Sequence, residues 1–225
     1  MYPRVKRIVD DNRVEISERF FTESYGIEIQ KDKCIGCGLC IKACPNNVIS
    51  SPDLEGLIRI KTEDLKPEIK DITKCSFCGT CVYICPLEAI KLKENGQPVE
   101  LEDLKLISQK VVPKLKFELE HSEKFHQDIK KYFIGEISVN WDKCISCMSC
   151  VDVCPVSAFS KTKINKNDPS KSKKVSFEAE RCIGCGTCAR ACNSKAITFN
   201  LKSLNYSGDF KERFWNSLIA RIKTQ

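Results

Sequence analysis

The chain has 225 residues, 42% of them hydrophobic and 30% charged, with a formal net charge of +7. That length allows one or two domains, and no run of around twenty apolar residues is present to cross a membrane. Neither a G-x-G-x-x-G dinucleotide fingerprint nor a P-loop occurs, and no Ser-His-Asp or paired-carboxylate constellation stands out, so a nucleotide-dependent or hydrolytic enzyme is not the reading.

Taken in chain order, Met1-Tyr2-Pro3-Arg4 opens without an apolar signal core or a twin-arginine signal, the expectation for a cytoplasmic protein. Residues 1–30 read as an N-terminal extension with a strand pair, one strand over 13–16 and one over 26–30. Residues 54–60 and 68–72 read as two strands joined by a turn at Pro67. A bridge over 96–139 is not Gly/Ser-rich and is expected to be structured. Within it, residues 101–107 suit a short helix or loop, and 114–120 alternate as a strand should. Residues 121–133 read as a helix with Phe125, Ile129 and Phe133 on one face, and 136–141 as a further strand. Residues 159–177 suit a hairpin with a polar tip at 165–170. In the last segment, 201–225, Asp209 can cap a helix whose Phe210, Phe214, Trp215, Leu218, Ile219 and Ile222 form one stripe. That stripe can pack on the chain's own second half or dock a larger subunit. His121 and His126, the only histidines, lie in the bridge and suit solvent or packing roles.

The pattern C-x-x-C-x-x-C-x-x-x-C occurs four times and uses all sixteen cysteines. A disulfide scaffold is the first rival, but such scaffolds are usually short secreted chains. Three thiols on one tight loop also suit a metal centre better than disulfides. Zinc is the second rival, but structural zinc commonly draws on two separated C-x-x-C knuckles. The run suits an iron–sulfur cluster, whose iron takes thiolate sulfur. Two-residue spacers let a loop wrap three corners of a cube and aim backbone N–H groups at the sulfurs. Gly36, Gly38, Gly79, Gly184 and Gly186 allow the positive φ this needs. The third run has Ser146 and Met148 there instead, so different surroundings are expected. Pro45, Pro86 and Pro155 turn the chain after the fourth cysteine. Asn193 stands at that place in the fourth run and puts its turn in question. Trp141, three residues before Cys144, is expected to shield a cluster by packing.

Residues 31–95 and 140–200 each resemble a bacterial-type ferredoxin with two [4Fe–4S] clusters. Beyond the cysteines, Asp32-Lys33-Cys34-Ile35-Gly36 is similar to Asp142-Lys143-Cys144-Ile145-Ser146 and to Glu180-Arg181-Cys182-Ile183-Gly184. The resemblance implies an α+β fold: tandem ferredoxin-like modules with short β-hairpins and short helices, plus a connecting β/α segment. It implies four [4Fe–4S] clusters, electron transfer without an active site of its own, and folding coupled to cluster insertion. In that family the fourth cysteine of a run binds the neighbouring cluster. Cys44 and Cys75 are separated by 30 residues, Cys154 and Cys182 by 27, and Cys85 and Cys144 by 58. Short gaps favour sequential pairing. The clusters would then take Cys34, Cys37, Cys40 and Cys85; Cys75, Cys78, Cys81 and Cys44; Cys144, Cys147, Cys150 and Cys192; and Cys182, Cys185, Cys188 and Cys154. Nested pairing, the two outer runs with each other and the two inner runs with each other, stays open.

A chain of two such modules resembles a polyferredoxin, and in particular the polyferredoxin subunits of anaerobic archaeal complexes of the formylmethanofuran dehydrogenase type. Those subunits typically carry more runs. The resemblance implies a conduit whose partners are larger oxidoreductase subunits, another ferredoxin, or both. The alternatives are a free soluble multi-cluster carrier and an electron-input subunit of a hydrogenase, formate dehydrogenase or sulfite reductase. Four oxidised clusters with their thiolates bring the charge from +7 to about −1, so the basic residues are no nucleic-acid footprint. The six lysines within 161–174 suit a solvated face or a patch steering an acidic carrier.

Overall fold

In the computed structural model, residues 4–100, 112–113, 115–162, 175–206 and 213–223 are described. The first half opens with strands β1 (Arg4–Val9), β2 (Arg13–Arg19) and β3 (Ser24–Gln30). Helix α1 (Leu39–Ala43), β4 (Ile49–Ser50), β5 (Glu68–Ile69), α2 (Thr80–Tyr83), β6 (Ile90–Glu94) and β7 (Gln97–Pro98) follow. The bridge supplies β8 (Glu118–Ser122), β9 (Gln127–Lys131) and β10 (Phe133–Val139). Then come α3 (Ser149–Asp152), β11 (Phe159–Lys161), β12 (Val175–Phe177), α4 (Thr187–Arg190), β13 (Ile197–Leu204) and α5 (Arg213–Lys223).

One topology is used twice. The strand entering the first run pairs antiparallel with the strand leaving the second, with Ile27 opposite Leu92 and Ile29 opposite Ile90. The strand entering the third run pairs in the same sense with the strand leaving the fourth, with Val139 opposite Ile197. Between the runs of each half lies a short antiparallel pair, β4·β5 and β11·β12. In the first half β1 and β2 extend the sheet to the order β1-β2-β3-β6-β7. Arg13 and Lys93 hold the carboxylates of Glu15 and Glu28 on this sheet, with Lys93 Nζ at 2.6 and 2.7 Å. Pairing of this kind is what lets charged side chains be buried.

Two of the three apolar clusters draw on both halves. One is confined to the first half and joins Ile16, Ile27, Ile29, Ile90 and Leu92 to Cys40, Cys44 and Cys81. A second joins Leu39, Ala43 and Ile84 to Phe199, Leu201 and Leu204 across Trp215, Leu218 and Ile222 of α5. A third places Ile60 and Leu65 of the first half among Val153, Phe159, Cys188 and Ile197. Ile60 and Leu65 are fully buried there, and each such side chain stabilises the junction by about 1.5–3 kcal/mol.

Four expectations are corrected. Residues 121–133 are not a helix; β8 and β9 form a hairpin there, with His121 opposite Asp128 and Glu118 opposite Lys131. The four-residue spacing of Phe125, Ile129 and Phe133 imitates a helical face, but cross-strand pairing overrides so narrow a stripe. Residues 54–60 are not a strand; the chain turns at Gly56, with φ of 78°. This segment is committed to the other half instead, through Ile60 and an Arg59–Asp152 ion pair with Arg59 Nη2 at 2.8 Å. The second strand expected over 68–72 is confined to β5, and residues 72–74 form a 3-10 turn. Finally, of the C-terminal stripe, Trp215, Leu218 and Ile222 are buried against both halves, so these three pack on the chain itself and are not an outward docking face. Phe210, Asp209, residues 101–107 and the lysine-rich tip beyond Lys161 lie outside the described residues, and the Phe214 side chain is not described.

Candidate metal centres

Each cysteine run folds the same way because each uses the same backbone turns. The first cysteine follows a tight turn, as in Cys75 N–H donating to Ile72 O at 2.8 Å and Cys182 N–H to Ala179 O at 3.0 Å. The residues two and four beyond it are left-handed in every run: Gly36 and Gly38, Phe77 and Gly79, Ser146 and Met148, Gly184 and Gly186. The third cysteine then lies in a one-turn helix and the fourth just after it. A closing turn follows, and the fourth run closes like the others, with Lys195 N–H donating to Cys192 O at 3.0 Å although Asn193 replaces proline. The run without glycines keeps the same backbone, at φ of 58° for Ser146 and 71° for Met148. The surroundings of that run therefore differ in side chains and not in chain path.

Donors converge on the sulfurs. The backbone N–H four residues after each fourth cysteine donates to its Sγ: Val48 to Cys44 at 3.2 Å, Ala89 to Cys85 at 3.3 Å, Ala158 to Cys154 at 3.1 Å and Ala196 to Cys192 at 3.2 Å. Three runs add a buried hydroxyl beside the second cysteine, Thr80 with Cys78 at 3.3 Å, Ser149 with Cys147 at 3.4 Å and Thr187 with Cys185 at 3.2 Å. The first run has Leu39 at this place. These hydroxyls were not singled out from the sequence. The signal that could have found them is their fixed place two residues after the second cysteine.

The sixteen sulfurs gather into four quartets. Cys44 joins Cys75, Cys78 and Cys81 around a small cavity whose lining includes Ile27, Val48, Ile49, Phe77 and Leu92. Cys192 joins Cys144, Cys147 and Cys150 around another, with Trp141, Met148 and Phe159 in its wall. Cys85 faces Cys34, Cys37 and Cys40, and Cys154 faces Cys182, Cys185 and Cys188. In each case the fourth cysteine has crossed to the neighbouring run of its own half.

Burial makes free thiolates costly here. It pushes the Cys37 and Cys150 thiols up to about 12 and those of Cys75 and Cys185 up to about 11. Cys40, Cys81 and Cys188 are raised as well, by the same loss of solvent and then by neighbouring cysteines. Four sulfurs in such a site become thiolates when a cationic core compensates them. Four sulfurs gathered together, with N–H and O–H donors behind them and largely apolar walls at the Cys75 and Cys144 quartets, suit a compact iron–sulfide core. The quartets fit four [4Fe–4S] clusters.

The quartets also form a succession, numbered here by the run that supplies three of the four cysteines. Cys81 of the second packs in one apolar cluster with Cys40 of the first, Cys185 of the fourth lines one pocket with Cys37 of the first, and Cys150 of the third packs beside Cys188 of the fourth. The order through space is therefore second, first, fourth, third. The first and fourth meet where the two halves pack.

A family profile described as a 4Fe-4S dicluster domain matches residues 33–90 and 74–159, and a second profile of the same description matches 143–196. The 74–159 match spans the second and third runs, whose cysteines nevertheless lie in different halves of the molecule. Among curated proteins, the chain is 34% identical over 73 residues to Ferredoxin-3 of Nostoc sp. (28% of this chain, 75% of that protein). It is 37% identical over 62 residues to an uncharacterized ferredoxin of Methanocaldococcus jannaschii (28% and 74%). It is 32% identical over 77 residues to NADH-quinone oxidoreductase subunit I of Pelobacter propionicus (32% and 41%), so it spans well under half of that relative. A chain from the formate dehydrogenase–heterodisulfide reductase–formylmethanofuran dehydrogenase complex of Methanospirillum hungatei has the same fold. Its TM-score is 0.76 at 20% identity, covering 100% of this chain and 92% of that one.

Proposed function

Because the chain belongs to the 4Fe-4S dicluster ferredoxin family, we propose that it is a polyferredoxin working as an electron conduit within, or into, a larger anaerobic oxidoreductase complex. The observation that carries this reading is the unbroken succession of four quartets across a packed junction between halves. When bound, each cluster supplies one-electron reduction and oxidation. The chain's own residues hold the sulfurs, exclude water with Ile27, Trp141, Phe159 and Leu92, and aim N–H and O–H donors at the ligands.

On this reading the ligands are Cys34, Cys37, Cys40 and Cys85; Cys44, Cys75, Cys78 and Cys81; Cys144, Cys147, Cys150 and Cys192; and Cys154, Cys182, Cys185 and Cys188, in modules over 31–95 and 140–200. The full-length likeness to a chain of the Methanospirillum hungatei complex supports a partner of the formylmethanofuran dehydrogenase type, and a cytoplasmic archaeal setting with it. No helix among the described residues is long and apolar enough to cross a membrane.

Anaerobic purification tests both levels. Iron and acid-labile sulfide are each expected at about sixteen per chain, as four intact cubes require. Half that content in a folded preparation would sink the four-site assignment. Co-purification of a molybdenum or tungsten oxidoreductase subunit supports the complex, and a partner-free, monodisperse chain from native cells would count for a free carrier.

A further inference from the structure

The junction between the halves carries a cation supplied to one side by the other. Arg190 ends α4 in the second half, yet its guanidinium reaches the loop of the first run. Nη1 donates to Gly36 O, between Cys34 and Cys37, and Nη2 donates to Ser51 Oγ at 3.0 Å. Gly38 makes room for it: a Cβ there would lie 2.9 Å from Nη1 and 3.0 Å from Cζ of Arg190. Gly38 thus serves a contact from 152 positions further along the chain as well as its own φ of 77°. Among the described residues no carboxylate pairs with Arg190. Cys37 lines one pocket with Arg190, and the sulfurs of Cys37, Cys40 and Cys34, once thiolates around a metal core, are the negative groups that its charge would act on. Beside it, the Thr187 hydroxyl lies 3.3 Å from Ile35 O and 3.2 Å from Cys185 Sγ, tying the first loop to a sulfur of the fourth quartet.

We propose that Arg190 is a positioning residue for the first site: held by the second module, its fixed positive charge raises the reduction potential of the quartet Cys34, Cys37, Cys40 and Cys85. The physics is simple. Accepting one electron adds one negative charge to the site, and a guanidinium held in a partly dry junction stabilises that form more than the oxidised one. The first site is thereby made easier to reduce than it would be without Arg190, and its potential depends on the two modules being docked. Arg suits the role because it stays charged when desolvated.

This inference rests on the four-site reading, and the two fail differently: iron content tests the reading, and potentials test Arg190. Wild type, Arg190→Gln and Arg190→Lys are purified anaerobically, assayed for iron and titrated stepwise with dithionite, which supplies one electron per site, under EPR observation. In Arg190→Gln one of the four steps is expected to move to more negative potential. At fixed ambient potential its reduced-to-oxidised ratio should fall roughly tenfold, about 59 mV for one electron. Arg190→Lys keeps the charge and is expected to leave all four steps close to wild type. Each variant decides by itself should the other lose iron. Four unmoved steps in Arg190→Gln overturn the proposal, and so does a tenfold displacement in Arg190→Lys.

Discussion

The thiolates of such a site are held by very few atoms, so single hydroxyls matter. Thr187 is fully buried, and its one proton can serve Cys185 Sγ or Ile35 O at a given moment. A donor to a ligand sulfur stabilises the more negative reduced site. Thr187→Val, nearly isosteric, is therefore expected to lower the potential of the fourth site by the equivalent of about 1 kcal/mol, roughly a fivefold loss in its reduced-to-oxidised ratio. Anaerobic redox titration reads this directly, and an unmoved potential would show that the hydroxyl serves Ile35 O alone. The left-handed residues teach a related lesson. Glycine was legible at these places as a conformational need, yet Phe77, Ser146 and Met148 meet the same need with side chains. At Gly186 the reason is steric as well, since a Cβ would meet Phe199 Cδ1 at 2.5 Å. Nothing local in the sequence announces Phe199 at that distance.

Among the elements, α5 ties the two halves together. Its 11 residues bury Trp215, Leu218 and Ile222 between the modules. Its far end adds polar ties, with Arg221 Nη2 donating to Cys44 O at 3.0 Å and Lys42 Nζ donating to Ile222 O at 3.0 Å. The apolar stripe was legible from helical spacing, but its destination was not, because an amphipathic face looks alike whether it meets its own chain or a partner. Trp215→Ala is expected to cost about 3–5 kcal/mol, the range for emptying a buried tryptophan site. Anaerobic thermal unfolding should show a clearly lowered midpoint; a midpoint within a degree of wild type would contradict the packing. The β8·β9 hairpin is the converse case. Its sequence carried a plausible helical period, and strand pairing with good charge partners prevailed.

For the molecule as a whole, the modules are coupled through shared apolar clusters and through the sites themselves. Each site doubles as core, since Cys40, Cys44 and Cys81 pack with the sheet residues and Cys188 with Ile60 and Leu65. Removing iron should then remove structure. An iron chelator added anaerobically is expected to collapse the near-UV and visible dichroism of both modules in one transition. Two well-separated transitions would show that the modules stand independently and that their junction contributes little.

Sixteen thiols in four runs were readable from spacing alone, because a small inorganic core demands its ligands within one short loop and one nearby turn; the crossing in pairs came from the resemblance to two-cluster ferredoxins, with the gap lengths favouring neighbours. The order second, first, fourth, third was not readable, nor was the meeting of Arg190 with Gly36 or of Thr187 with Ile35. Those contacts join residues 154 and 152 positions apart. They depend on how two folded modules pack, which is decided by buried surface that forms only after each loop has taken shape.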